Sequence, residues 1–399
     1  MDARKTESWK EAEWDYQELQ AGMRLSLLGT RPTHQELIAE LRRIARKCPS
    51  FYPGKTELGL RLLSQKGGGE AEQIIEEGFR LMLELAGAKN REREIDGVVE
   101  NLEDMWRFDV SRRLMEVLSE HGRLKADWHD SLAYSAARLG DFEAAAKHIE
   151  AALQLQPRDK NFWSNKGLFL LMQGQLTEAG IALSKARKLA PKDPIILGNL
   201  EAHEYLTEHG GNYFDYLVRP LDREKMDELA NEEEWEDVDA LRTEFNGCRM
   251  EAFAQSMFMK GGQSRSCLAS LIRTLDSFFD FVERVDAGGM FVHEDIDLVR
   301  DNFKAIMHKF IYKFGDVDRE TIDDVFEGLK AYYGFLAEKN VVPAADFRQL
   351  EKAIGRQAQA LIAKMERYNA IRHDPAVSEK RKEKIREELF EGDHAWPHL

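Results

Sequence analysis

The feature that most limits what this chain can fold into is a period. Residues 126–159 and 160–193 repeat one pattern 34 residues apart, closing on Leu155-Gln156-Pro157 and on Leu189-Ala190-Pro191. Small residues recur at the same offset: Gly140 with Gly174, Ala145 with Ala179, Ala152 with Ala186. A period of this length marks a helix–turn–helix unit that buries its apolar face by stacking on copies of itself. Small residues belong where two helices cross closely, large apolar ones fill the gaps, and proline ends a helix without continuing it.

The pattern resembles the tetratricopeptide repeat family. In that register the second unit places the large first-helix residue on Trp163, the close-approach glycine on Gly167 and the turn on Gly174-Gln175. The first unit holds His129, Ala133 and Gly140-Asp141 at those places, and His129 in place of a bulky aromatic makes it the looser copy. Weaker copies flank the pair. Leu58-Gly59, Ala71 and Gly67-Gly68-Gly69 suit a unit near 52–85, while 92–125 has Trp106, Leu114, Met115 and Leu118 at helical spacing but no turn glycine. Downstream, Pro194 to Leu206 predicts a further first helix with Leu197 and Leu200 buried. Gly210-Gly211 and an aromatic second helix through Tyr213, Phe214 and Tyr216 follow it. The expectation is four or five helical hairpins over 30–220.

With 43% hydrophobic and 32% charged residues, only 10 prolines and few β-branched runs, the composition is that of a helix-rich globular chain. Three well-separated cysteines (Cys48, Cys248, Cys267) offer no disulfide framework, and no apolar segment follows the charged start or reaches the length of a membrane span. A cytoplasmic setting, with no membrane partner, is expected. The net charge of −15 opposes a general grip on nucleic acid. Residues 221–240 hold ten acids against Arg223 and Lys225, a net −8, and read as a solvated acidic junction.

Beyond the junction the period stops, but helical spacing of apolar residues continues. Candidate helices run through Phe245 to Phe258, Leu268 to Val282, Phe303 to Phe314 and Val325 to Leu336. Gly288-Gly289, Gly315-Asp316 and Asn340 to Pro343 separate them. Charged helices over 344–391 are interrupted at Asp374-Pro375. The predicted fold is all-α: an N-terminal charged segment (1–29), a TPR-like solenoid (30–220), the acidic junction (221–240) and a C-terminal helical bundle (241–399).

Signals of chemistry fail on inspection. Gly54-Lys55-Thr56 lacks the first glycine of a phosphate loop, since position 49 is proline, and it lacks the preceding strand. His394 and His398 flank Trp396-Pro397 and share no helix face, and no two cysteines have zinc spacing. His293-Glu294-Asp295 opens a helix, where acids suit the macrodipole. Ser264, Ser266 and Cys267 fit a serine-capped helix start rather than a nucleophile. No cofactor, metal or catalytic residue is assigned.

The resemblance implies that first helices line a groove that receives a peptide or helix. The groove positions are Asp127, Asp130, Tyr134 and Ala137, then Asn161, Ser164, Leu168 and Leu171, then Ile195, Gly198, Ala202 and Tyr205. Family members that hold acidic tails use lysine, asparagine and arginine there, and only Asn165 matches. An apolar groove with an acidic lip suits a basic amphipathic helix of a partner, or the chain's own C-terminal helices. The expected function is therefore non-catalytic protein–protein interaction. Two rivals are a regulator touching nucleic acid through Arg348, Lys352, Arg356 and Lys364, and an enzyme with an interdomain pocket.

Overall fold

The computed structural model describes residues 3–25, 34–65, 67–122, 124–262, 264–286, 288–313, 317–372 and 374–390. Phe314, Gly315, Asp316, His394, Trp396, Pro397 and His398 lie outside the described residues. The chain is 81% helical, with no strand among the described residues. Helices α1 (Glu7–Leu25) and α2 (His34–Lys47) precede four hairpins. These are α3 (Tyr52–Leu63) with α4 (Gly69–Leu85), α5 (Ala88–Asp104) with α6 (Phe108–Glu120), α7 (Ala126–Arg138) with α8 (Phe142–Leu155), and α9 (Lys160–Met172) with α10 (Leu176–Leu189). Then come α11 (Pro194–His209), α12 (Tyr213–Leu217), α13 (Arg223–Asn231), α14 (Trp235–Lys260) and α15 (Arg265–Val285). The chain continues through α16 (Ile296–Asp301), α17 (Phe303–Lys313), α18 (Arg319–Glu338), α19 (Ala344–Arg372) and α20 (Glu379–Phe390). It divides into two compact units. One holds the residues up to Tyr213 together with Phe258–Ser270; the other holds Phe214–Met257 and the chain from Leu271 on.

In the first unit the period has a direct physical meaning. Asp141 caps α8 and, one period apart, Asp159 and Asp193 cap α9 and α11, their carboxylates accepting the first free backbone N–H groups. Ala145, Ala152, Ala179 and Ala186 are fully buried at the helix crossings. A side chain at Gly167 would place its Cβ 2.5 Å from Leu183, so only glycine lets α9 and α10 approach. The hairpin turns close alike: Asp141 N donates to Ala136 O at 2.9 Å, and Gln175 N to Leu170 O at 2.9 Å. Gly140 (φ 79°) and Gly174 (φ 73°) supply the left-handed residue that this closure needs.

The unit over 92–125, which lacks a turn glycine, makes the same turn. Arg107 N donates to Leu102 O at 2.8 Å, and Trp106, one period before Gly140, takes the left-handed conformation at φ 58°. The downstream unit departs from expectation. The buried stripe of α11 is Ile196, Ala202 and Leu206, whereas Leu197 is 42% exposed and Leu200 half-buried. Its expected second helix is the five-residue α12. Pro220 lies close behind and disfavours helical geometry at Arg219, so no full hairpin partner forms.

In the second unit, Leu271, Ile272, Leu275, Phe278, Phe279 and Val282 of α15 are all buried, as are Val325, Leu329, Tyr332, Tyr333 and Leu336 of α18. The acidic stretch 221–240 holds α13 and the start of α14, with Met226 and Val238 buried against Phe245 and Val292. His293-Glu294-Asp295 does more than open α16. Glu294 takes the Nε and Nη2 of Arg249 at 2.9 and 2.7 Å, and the Arg249 guanidinium also donates to Leu217 O and Arg219 O at 2.6 Å each. His293 is buried, with its ring stacked 4.3 Å from Phe279 and Nε2 at 3.1 Å from Glu283. Glu294 is thus placed by a buried arginine, while Asp295 accepts from Val292 N at 2.9 Å and pairs with the more exposed Arg223.

Candidate functional site

First helices of successive repeats lie side by side, and a polar ladder crosses between them. Asn165 on α9 donates to both oxygens of Asp130 on α7, at 2.9 and 3.0 Å. One period later, Asn199 on α11 donates to Ser164 Oγ on α9 at 3.0 Å. The ladder ends at a cavity of about 560 Å³ whose walls include Glu103, Trp106, Asp130, Tyr134, Arg138 and Asn165. The Arg138 guanidinium donates to Tyr134 Oη at 2.7 Å and lies over that ring at 4.9 Å. Phe108 packs edge-on against both Trp106 and Tyr134. Phe258, which belongs to this unit, stacks on Trp106 with the rings 6.3 Å apart.

The acids of this cavity are unusual. Burial pushes the Asp130 carboxyl up to about 6, although the Asn165 amide opposes the rise. Burial, then the charge of Asp130, pushes Glu103 up to about 7, with Arg138 opposing. Glu103 Oε1 is shielded from water and has no hydrogen-bond donor among the described residues. Both groups therefore sit at the edge of ionisation near neutral pH. A cation brought into the cavity would draw them into the charged form and release protons.

Of the sequence-derived groove residues, Asp130, Tyr134 and Asn165 meet in this one cavity. Asp127 and Asn161 are exposed beside it in the same register, and Ser164 is buried in the ladder. Leu168 and Leu171, at 9% and 0% exposure, belong to the repeat core and present no open apolar surface. Ala137 and Ala202 are buried, Ile195 and Gly198 are exposed on α11, and Tyr205 stacks on His209 with the rings 4.3 Å apart. Glu103, Trp106 and Arg138 were not among the expected site residues. The signal for Glu103 was its position one period before Ala137, and for Trp106 its position one period before Gly140.

No helix of the described residues is long and apolar enough to cross a membrane. No group of three or more metal-ligating side chains assembles among them. Residues 131–194 match the tetratricopeptide repeat family model. No curated protein matches the chain. The stretch from α7 to α10 is thus a tetratricopeptide repeat segment, of a class that generally serves protein–protein interaction and is typically non-catalytic.

Proposed function

We propose that this protein is a non-catalytic binding module that takes a peptide or helix of a partner protein along the first helices of its repeats, seating a basic side chain in the Asp130 cavity. The observation that carries this reading is the pairing of Asp130 and Glu103, two half-buried acids that line one cavity at the end of the polar ladder and whose carboxyls burial pushes up. A carboxyl held partly neutral by burial gains most from a cation that arrives with its own hydrogen bonds. Exposed Asp127 extends the negative field along the same register and favours a basic approach. The apolar component of the expected groove has no part in this, because Leu168 and Leu171 are core.

The test is affinity capture with crosslinking from the native cell, comparing wild type with Asp127→Lys/Asn161→Lys. Both positions are exposed, so the double variant should fold normally. The expected result is a partner crosslinked near α7 and α9 by wild type and lost by the variant, and retained by a control such as Lys147→Glu on α8. A partner retained by both baits, or crosslinked only to residues beyond 270, would overturn the reading.

A further inference from the structure

We propose that this chain binds a second copy of itself, Trp235 of one copy entering an apolar cavity beside α10 of the other. That cavity measures about 350 Å³. Its walls include buried Ile149 and Phe169, half-buried Trp163 and Leu170, and Ile181, which is 56% exposed. It shares no wall residue with the Asp130 cavity and is independent of the partner site proposed there. A wider cavity of about 830 Å³ adjoins it across Ile181 and Lys185 and adds Arg187, Lys188 and Glu204 to the walls. Apolar surface left open beside charged groups in this way marks a site of association.

The charge pattern identifies the occupant. Residues 176–192 carry four bases (Lys185, Arg187, Lys188, Lys192) against one acid, Glu178, a net +3 in a chain of net −15. Lys185 lies over the Trp163 ring at 4.0 Å, and neither it nor Arg187 or Lys188 has a carboxylate partner among the described residues. Lys166 and Glu150, also in the smaller cavity's wall, pair with each other and add no net charge. The complementary piece lies at the start of α14. Trp235 is 51% exposed, between Glu232-Glu233-Glu234 and Glu236-Asp237. These five acids are exposed and have no cationic partner among the described residues. The turn from α13 holds them in place: Glu234 N donates to Leu229 O at 2.9 Å, with Glu233 left-handed at φ 60°. An indole presented on an ordered turn loses little freedom on binding. In the complex it fills the cavity beside Trp163 and Ile181, and its flanking carboxylates meet Lys185 and Lys188.

The test is sedimentation velocity of the full chain over a concentration series, which should show reversible self-association that weakens as salt rises. Trp235→Ala should weaken it by about 30-fold or more, the loss typical of a buried aromatic anchor. Ile181→Glu should do likewise, and both positions are exposed, so both variants should fold. Trp14→Ala, at a position 64% exposed, should leave association unchanged. Mixing the Trp235 and Ile181 variants should restore it, since one keeps the cavity and the other the indole. Carbodiimide crosslinking of mixed isotopically light and heavy chains should join Lys185 or Lys188 to residues 232–237 in light–heavy pairs. A chain that stays monomeric, Trp235 or Ile181 variants that associate like wild type, or equal loss in Trp14→Ala would overturn the proposal. So would a mixture that stays dissociated, or crosslinks found only within single chains.

Discussion

Two centres of half-buried carboxylates, one in each unit, respond to burial in opposite ways. In the first unit Asp130 and Glu103 have one amide and one guanidinium near them, and burial wins: both carboxyls titrate well above their ordinary values. In the second unit burial also pushes Glu283 upward. Hydrogen bonds from His293 and Asn246 and the charge of Arg242 outweigh it and hold the carboxyl below its ordinary range. Glu294 beside it is locked to Arg249, whose side chain is 1% exposed. What separates a structural acid from a receptive one is the number of donors the fold has already committed to it.

The largest expected effect is on the saturated side. Arg249→Met should lower the stability of the second unit by about 3–5 kcal/mol in urea unfolding, because it strands Glu294 and two backbone carbonyls without their donor. On the receptive side the sign reverses. Glu103→Gln with Asp130→Asn should raise stability at neutral pH by about 1–3 kcal/mol. Their folded pKa values lie above the ordinary 4.5 and 3.8, so the native state binds the extra protons. Stability from this pair is therefore greatest in acid and falls as pH rises through about 6 and 7. The gain of the double variant over wild type should thus shrink as pH is lowered toward the unfolded values.

Glu283→Gln should do the opposite. It should cost about 1–2 kcal/mol near neutrality, through weakened bonds to His293 and Asn246. That cost should fade only in acid below 4.5, where the wild-type carboxylate also loses its charge. The smallest effect is expected at the turn. Trp106→Gly relieves a left-handed backbone that costs a non-glycine residue roughly 1 kcal/mol, but it loses the ring's contacts with Phe108 and Phe258. Net stability by thermal unfolding should change little, while partner capture should fall.

The repeats were legible where side chains report backbone geometry directly. Gly140, Gly174, Ala145 and Ala179 announce turns and crossings because small residues meet the backbone geometry there at least cost. The unit before them was obscured because Trp106 takes the glycine conformation through its surroundings, and identity alone does not reveal that. The downstream unit, α11 with α12, failed for the converse reason: aromatic spacing through Tyr216 suggested a helix that cannot run on into Pro220. The register placed Asp130, Tyr134 and Asn165 on neighbouring first helices, and they line one cavity there. Whether a first-helix position such as Leu168 opens to solvent depends on packing, which the period does not encode. The role of Glu294 depends on Arg249, 45 residues away, and that of His293 on Asn246, 47 residues away, beyond the reach of any local pattern.

The most direct test is hydrogen–deuterium exchange of the full chain, alone and with the partner that it captures. The account expects added protection in peptides covering 102–109 and 126–138, around Glu103, Trp106 and Asp130, and none around Arg249 and Glu294. Protection confined to 214–257 and 271–390, with the Asp130 cavity unchanged, would contradict it.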